Sequence, residues 1–135
     1  MKGNRELKDQ DYAALAKFRH LIRAFQAFSE QRAAEHGLKP QQHQALLAIR
    51  GAGDAPVTIG YVAERLVIKP HSASGLIDRL EALELVVRQT SPGDGRQSIL
   101  ALTPKARDIL AQLSATHREE ITRVRPMLLD SLKAF

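Results

Sequence analysis

Between Thr58 and Leu102 the hydrophobic period changes part-way along, and that change restricts the chain to few folds. Val62, Ala63 and Leu66 mark a short helix that Thr58 suits as N-cap. After a break at Val67 to Pro70, a second helix runs from Pro70 to about Leu83, with Leu76, Leu80 and Leu83 on one face and Ile77 beside them. Two short helices with so tight a break form a helix-turn-helix. From Leu85 to Thr90 the pattern is β-branched and extended, Ser91 to Gly95 reads as a turn, and Gln97 to Leu102 reads as a second strand. An Asp-Gly pair between two such runs is a strong hairpin signal. A hairpin directly after a helix-turn-helix is a wing.

The flanks are helical. Leu15, Phe18, Ile22 and Phe25 recur at spacings of three and four within about 11–36, and Leu21 and Phe28 widen the stripe. Gly37 suits the position just past that helix, and Pro40 the first turn of another holding Ala45, Leu46 and Ile49. Gly51 to Pro56 is a loop. Thr103 as cap and Pro104 at the first helical position open a long helix striped by Ala106, Ile109, Leu110, Leu113, His117, Ile121 and Val124. Pro126 is expected to break or kink it, leaving Met127 to Phe135 as a final apolar helix. The expected architecture is mainly α with a small β-hairpin wing, a winged helix-turn-helix forming a single domain over residues 1–135. Within it a lobe spans about 40–102, and helices at about 11–36 and 103–135 carry apolar stripes longer than a compact lobe covers. A second copy of the chain is the expected cover, giving a homodimer through these helices.

Charge narrows the partner. Twenty Lys and Arg against 15 Asp and Glu leave a formal charge of +5, which favours a polyanion. No Trp, two Tyr and four Phe are too few aromatic platforms for stacking single strands, which leaves duplex DNA as the expected polyanion. The absence of cysteine excludes disulfides, thiolate metal sites, cysteine nucleophiles and thiol redox sensing. The polar start and the lack of an 18-residue apolar run predict no signal peptide and no membrane span, hence a cytoplasmic protein. No P-loop, G-x-G-x-x-G or G-x-S-x-G motif is present, and His71 beside Ser72 and Ser74 cannot form a triad by adjacency. A non-enzymatic role is expected.

In a helix-turn-helix the second helix enters the major groove by its N-terminus. Here that region runs from Lys69 to Arg79. Lys69 suits a phosphate, His71, Ser72 and Ser74 suit base edges or phosphates, and Ala73 and Gly75 are small enough for close approach. Arg79 is expected to reach the DNA backbone. Beside the hairpin tip, Arg96 suits a narrow minor groove, with Asp94 accepting hydrogen bonds from it. The same residues also suit a solvated helix start capped by Ser72 and an ordinary exposed turn pair. Of the histidines His20, His36, His43, His71 and His117, no two share a helix at metal-ligand spacing, and only His117 has a carboxylate, Glu120, three residues on. No metal or other cofactor is expected. A metal-responsive regulator and a winged-helix module for protein contacts are the alternative readings.

The stretch Val57 to Ala106 resembles the MarR family of bacterial transcription regulators. The matching segments are VTIGYVAERL, KPHSASGLIDRLEALELVVR and DGR followed by SILALTPKA, and GLKPQQHQALLAIRG resembles the family's second helix. The Asp-x-Arg of the wing, with Leu102-Thr103-Pro104 after the second strand, is the most specific element. The chain departs from the family at Glu84 and at Ala106, where Gly is usual, and at Lys39, where a Ser or Thr cap is common. Glu84 matters most, because Glu disfavours the left-handed conformation that ends a helix. The resemblance implies a homodimeric repressor that reads a pseudo-palindrome and is relieved by a small aromatic ligand. It also implies a ligand cleft between the dimer helices and the reading head, lined here from Ile22, Phe25, His43, Leu47 and His117.

Overall fold

The computed structural model describes residues 6–90 and 98–133. Its elements are α1 (Asp9–Glu35), α2 (Pro40–Gly51), α3 (Ile59–Leu66), α4 (Pro70–Ala82), β1 (Val86–Thr90), β2 (Ser98–Leu102) and α5 (Pro104–Lys133). Two compact units are present, one made of residues up to Gln31 with those from Ala115, the other of Arg32–Ser114. α1 and α5 each contribute to both.

Arg32–Ser114 is built on a core in which Leu46, Leu76, Ile77, Leu80, Val62, Val86 and Leu113 are almost wholly removed from solvent. Each such aliphatic side chain contributes about 1.5–3 kcal/mol relative to exposure. The hairpin is antiparallel, with Val86 opposite Leu102, Arg88 opposite Leu100 and Thr90 opposite Ser98. Leu100 and Leu102 turn inward on alternate positions of β2, whereas only Val86 of β1 is buried. The Leu100 N–H donates to the Val57 carbonyl at 2.8 Å, so β2 is tied on its far side to the residue before α3's cap.

The caps follow local chemistry where the residue permits. The Thr58 hydroxyl accepts from the Tyr61 N–H at 3.1 Å. Lys39 has no acceptor in its side chain, and Gln42 supplies the missing bond by accepting from the Lys39 N–H at 2.9 Å. α1 ends at Gly37 in the left-handed region, φ 76°, with the Leu38 N–H on the Ala33 carbonyl. Pro126 does not divide the last helix, contrary to expectation: α5 continues through it to Lys133 as one element. Proline removes a single i→i−4 bond, and helical hydrogen bonding on either side carries the element across it.

α3 and α4 close in the same way as α1 but without glycine. Val67 (φ 55°) and Glu84 (φ 62°) take the left-handed position. The next N–H in each case reaches back to the preceding helix, Ile68 to the Ala63 carbonyl at 3.0 Å and Leu85 to the Leu80 carbonyl at 2.9 Å. These are Schellman endings. The left-handed conformation costs an L-residue about 1–2 kcal/mol. Glu84→Gly and Val67→Gly are therefore expected to stabilise the protein by about 0.5–1 kcal/mol each, the gain being reduced by glycine's freedom in the unfolded chain. Urea unfolding curves measure this, and a variant less stable than the parent would show that the native backbone is not strained there.

Candidate nucleic-acid interface

α4 begins without a side-chain cap. Lys69 occupies the N-cap position in extended conformation, Pro70 fills the first helical position, and the Lys69 side chain makes no capping bond. An uncapped helix start carries partial positive charge and open donors, the arrangement that receives a phosphate. Ser72, one alternative for the cap, lies inside the helix. Lys69, His71 and Ser72 are exposed, while Ser74 and Gly75 are half-buried. Ala73 is fully buried, so its small side chain serves packing of α4 against the core and not an approach to DNA. Arg79 folds back along the helix, its Nη1 only 3.7 Å from where a side chain on Gly75 would begin. The guanidinium thus lies nearer the N-terminal end of α4 than its sequence position suggests.

Arg79 also lines a cleft of about 250 Å³ with Lys39, Gln41, Gln42 and Leu76, where the start of α2 meets α4. Two cations at one cleft reinforce the positive character of this face. Asp94 and Arg96 lie outside the described residues. What the hairpin does show is an ion pair that no local pattern announces: the Arg88 guanidinium on β1 donates to Asp78 Oδ1 of α4 at 2.6 Å and lies 3.9 Å from Glu81 Oε1. Asp78 and Glu81 share a face of α4, a signal visible in their spacing of three. Nothing nearby in the chain points from them to Arg88, which comes from a different element.

Comparison with known proteins adds an independent line. Residues 36–97 match the model of the MarR family. The HTH-type transcriptional regulator MhqR of Bacillus subtilis is 26% identical over 87% of this chain and 81% of its own length. Among solved structures, RV1404 from Mycobacterium tuberculosis is 26% identical, superposes with a TM-score of 0.70 and covers 100% of this chain and 95% of that one. A variant of MepR from S. aureus bound to an oligodeoxyribonucleotide gives a TM-score of 0.69 at 19% identity, over 96% and 93% of the two chains.

Over residues 36–97 the chain is similar to the MarR family, and its fold is that of the winged-helix transcription regulators it matches.

The residues expected to line a ligand cleft divide between the two units. His43 and Leu47 belong to α2, where His43 is buried and Leu47 half-buried against the core. In the other unit Ile22 is exposed, whereas Phe25 and His117 come together with ring centroids 6.4 Å apart. Phe28 meets the same imidazole edge-on at 6.3 Å. Glu120, also buried, accepts from Arg123. Among the described residues no three His, Asp or Glu side chains are grouped to hold a metal ion, and no helix is long and apolar enough to cross a membrane.

Burial between these rings pushes the His117 pKa below the usual 6.5. The unfolded chain therefore binds this proton at a higher pH than the folded chain does. Stability rises with pH across the interval from the lowered folded value to about 6.5, and is lost as pH falls through it. Urea unfolding between pH 5 and 7 is expected to show less stability at the acid end, and His117→Gln, which stays neutral, should flatten that dependence. An unchanged slope in the variant would assign the acid sensitivity to other groups.

Proposed function

We propose that this protein is a sequence-specific, homodimeric repressor of transcription, relieved by a small aromatic ligand and without catalytic activity. One observation carries the DNA-reading part: α4 presents an uncapped N-terminus with Lys69, His71 and Ser72 exposed around it and Arg79 folded toward it. In this reading Lys69 and Arg79 hold phosphates, while His71, Ser72 and Ser74 address base edges beside Gly75. Arg96 enters the minor groove with Asp94 holding it.

Support for the homodimer comes from the unit containing the chain's two ends. Leu15 and Ile22 of α1 and Ile121, Met127, Leu129 and Leu132 of α5 are exposed there. Apolar side chains in that number on two helices favour a covering partner, and a second copy is the simplest one. Relief by a ligand rests on the family resemblance, with Ile22, Phe25, His43, Leu47 and His117 as the proposed lining. The domain division follows: residues at about 40–102 read DNA, and helices at about 11–36 and 103–135 dimerise.

The affinity for duplex DNA is expected to fall steeply with salt, because contacts to phosphate release counterions. Arg96→Ala should weaken binding strongly while the protein still elutes at twice the mass of one chain. Lys69→Ala should lower affinity evenly across sequences and reduce the salt slope by about one. Ser72→Ala and Ser74→Ala should alter sequence preference by about 1–3 kcal/mol at a contacted base pair. Fluorescence anisotropy over a salt series, with size-exclusion chromatography, reads all of these. Undiminished binding by the Arg96 variant would remove the wing from the interface, and a monomeric elution would remove the dimer.

A further inference from the structure

The exposed stripe of α4 changes character along its length. Exposed His71 and half-buried Ser74 occupy its first half, and the same alternating spacing of three and four places the exposed Asp78 and then Glu81 in its second half. Asp78 stands four residues past Ser74, about 6 Å along the axis. Asp78 at that distance lies within a Debye length of a candidate phosphate or base contact, and Glu81, about 10 Å along the axis, lies at about one Debye length in 0.1 M salt, so salt screens the pair only partly. Left alone they would oppose the partner that the first half of the helix attracts.

Arg88 answers both carboxylates from another element. It stands on β1, bonded to Asp78 at 2.6 Å and 3.9 Å from Glu81, with its own side chain 30% exposed against 62% and 43% for the two acids. A single guanidinium thus spans two acidic groups one helical turn apart. Exposed ion pairs contribute little to folding, so stability is a poor account of why this one is assembled beside the reading helix.

We propose that Arg88 is a positioning residue for DNA binding, acting through Asp78 and Glu81 and not by touching phosphate. It cancels one of the two negative charges that the reading helix would otherwise turn toward DNA, and it fixes the root of the hairpin on α4. This rests on the reading of α4 as the DNA-contacting helix.

The test uses the full chain and a fluorescently labelled random-sequence duplex at low salt, followed by a salt titration. Arg88→Gln should weaken binding roughly tenfold, with melting temperature close to the parent's. Adding Asp78→Asn and Glu81→Gln to that variant should restore affinity to the parent's or above it, since the three positions then carry no net charge against minus one in the parent. Asp78→Asn with Glu81→Gln alone should bind more tightly than the parent, with a salt slope steeper by about one, because Arg88 is released. If the triple variant remains as weak as R88Q, Arg88 contacts DNA directly or acts only as a structural tie, and the proposal is overturned. An unaltered affinity in R88Q overturns it as well. Failure of the parent chain to bind any duplex overturns the DNA reading itself, and this inference with it, whereas binding by the parent without rescue overturns this inference alone.

Discussion

The Thr103 hydroxyl donates to the Glu84 carbonyl at 2.7 Å and accepts from the Ala106 N–H at 3.2 Å. Its own N–H donates to the Leu85 carbonyl at 3.1 Å, and its carbonyl accepts from Arg107 at the same length. One residue therefore joins the end of α4, the entrance to β1, the exit of β2 and the first turn of α5. Lys105 adds a bond from its ammonium to the Leu83 carbonyl at 3.1 Å. Carbonyls at a helix end have no partner within the helix, and these bonds satisfy two of them from a segment about twenty residues distant in sequence. The placement of the hairpin on α4 depends on this junction, because the ladder closes onto it through Val86 and Leu102.

A helix fixed at its far end can present its near end. α4 keeps Leu76, Ile77, Leu80 and Ala73 in the core and turns its uncapped first turn outward. Donors, cations and the acid pair held by Arg88 are thus arranged along a rigid element, and their spacing is that of the helix. The chain's net charge of +5 does not describe this surface by itself. On the reading proposed for α4, affinity depends on which charges already have partners, as Asp78, Glu81 and Arg88 do, and which remain open to an incoming polyanion.

Elements governed by short-range chemistry were legible in the sequence. Thr58 and Thr103 read as caps, Pro40 and Pro104 as helix starts and Gly37 as a helix end, because each acts on neighbours within a turn or two. The period change after Leu83 placed the hairpin for the same reason. Ala73 was misread because a small residue suits both a buried contact and an approach to DNA, and only the packing of α4 decides between them. The Asp78–Arg88 pair was invisible because ten residues and a change of element separate the partners. Pro126 weighed more heavily in the sequence than in the structure, where α5 continues on either side of it. Of the site residues, the group from Lys69 to Arg79 was placed on one helix correctly in outline. Arg79's direction was not foreseeable, since a long side chain can lie either way along its helix and local pattern does not choose between them.

The two residues that local preference would have rejected most firmly bracket that helix. Val67 stands before α4 and Glu84 after it, both left-handed, and Val67 is almost fully exposed. A β-branched side chain in that region gains nothing locally, so its conformation is imposed by the residue after it. Ile68 packs against the core and sends its N–H to Ala63, and Leu85 is buried with its N–H on Leu80. Each ending exchanges roughly 1–2 kcal/mol of backbone strain for satisfied carbonyls and an anchored aliphatic side chain. Glycine would permit the same turns with less strain, but it would also permit others. With Val67 and Glu84 the entry and exit of α4 are held by tertiary bonds, and the direction in which it meets a partner is set by the core and by Thr103.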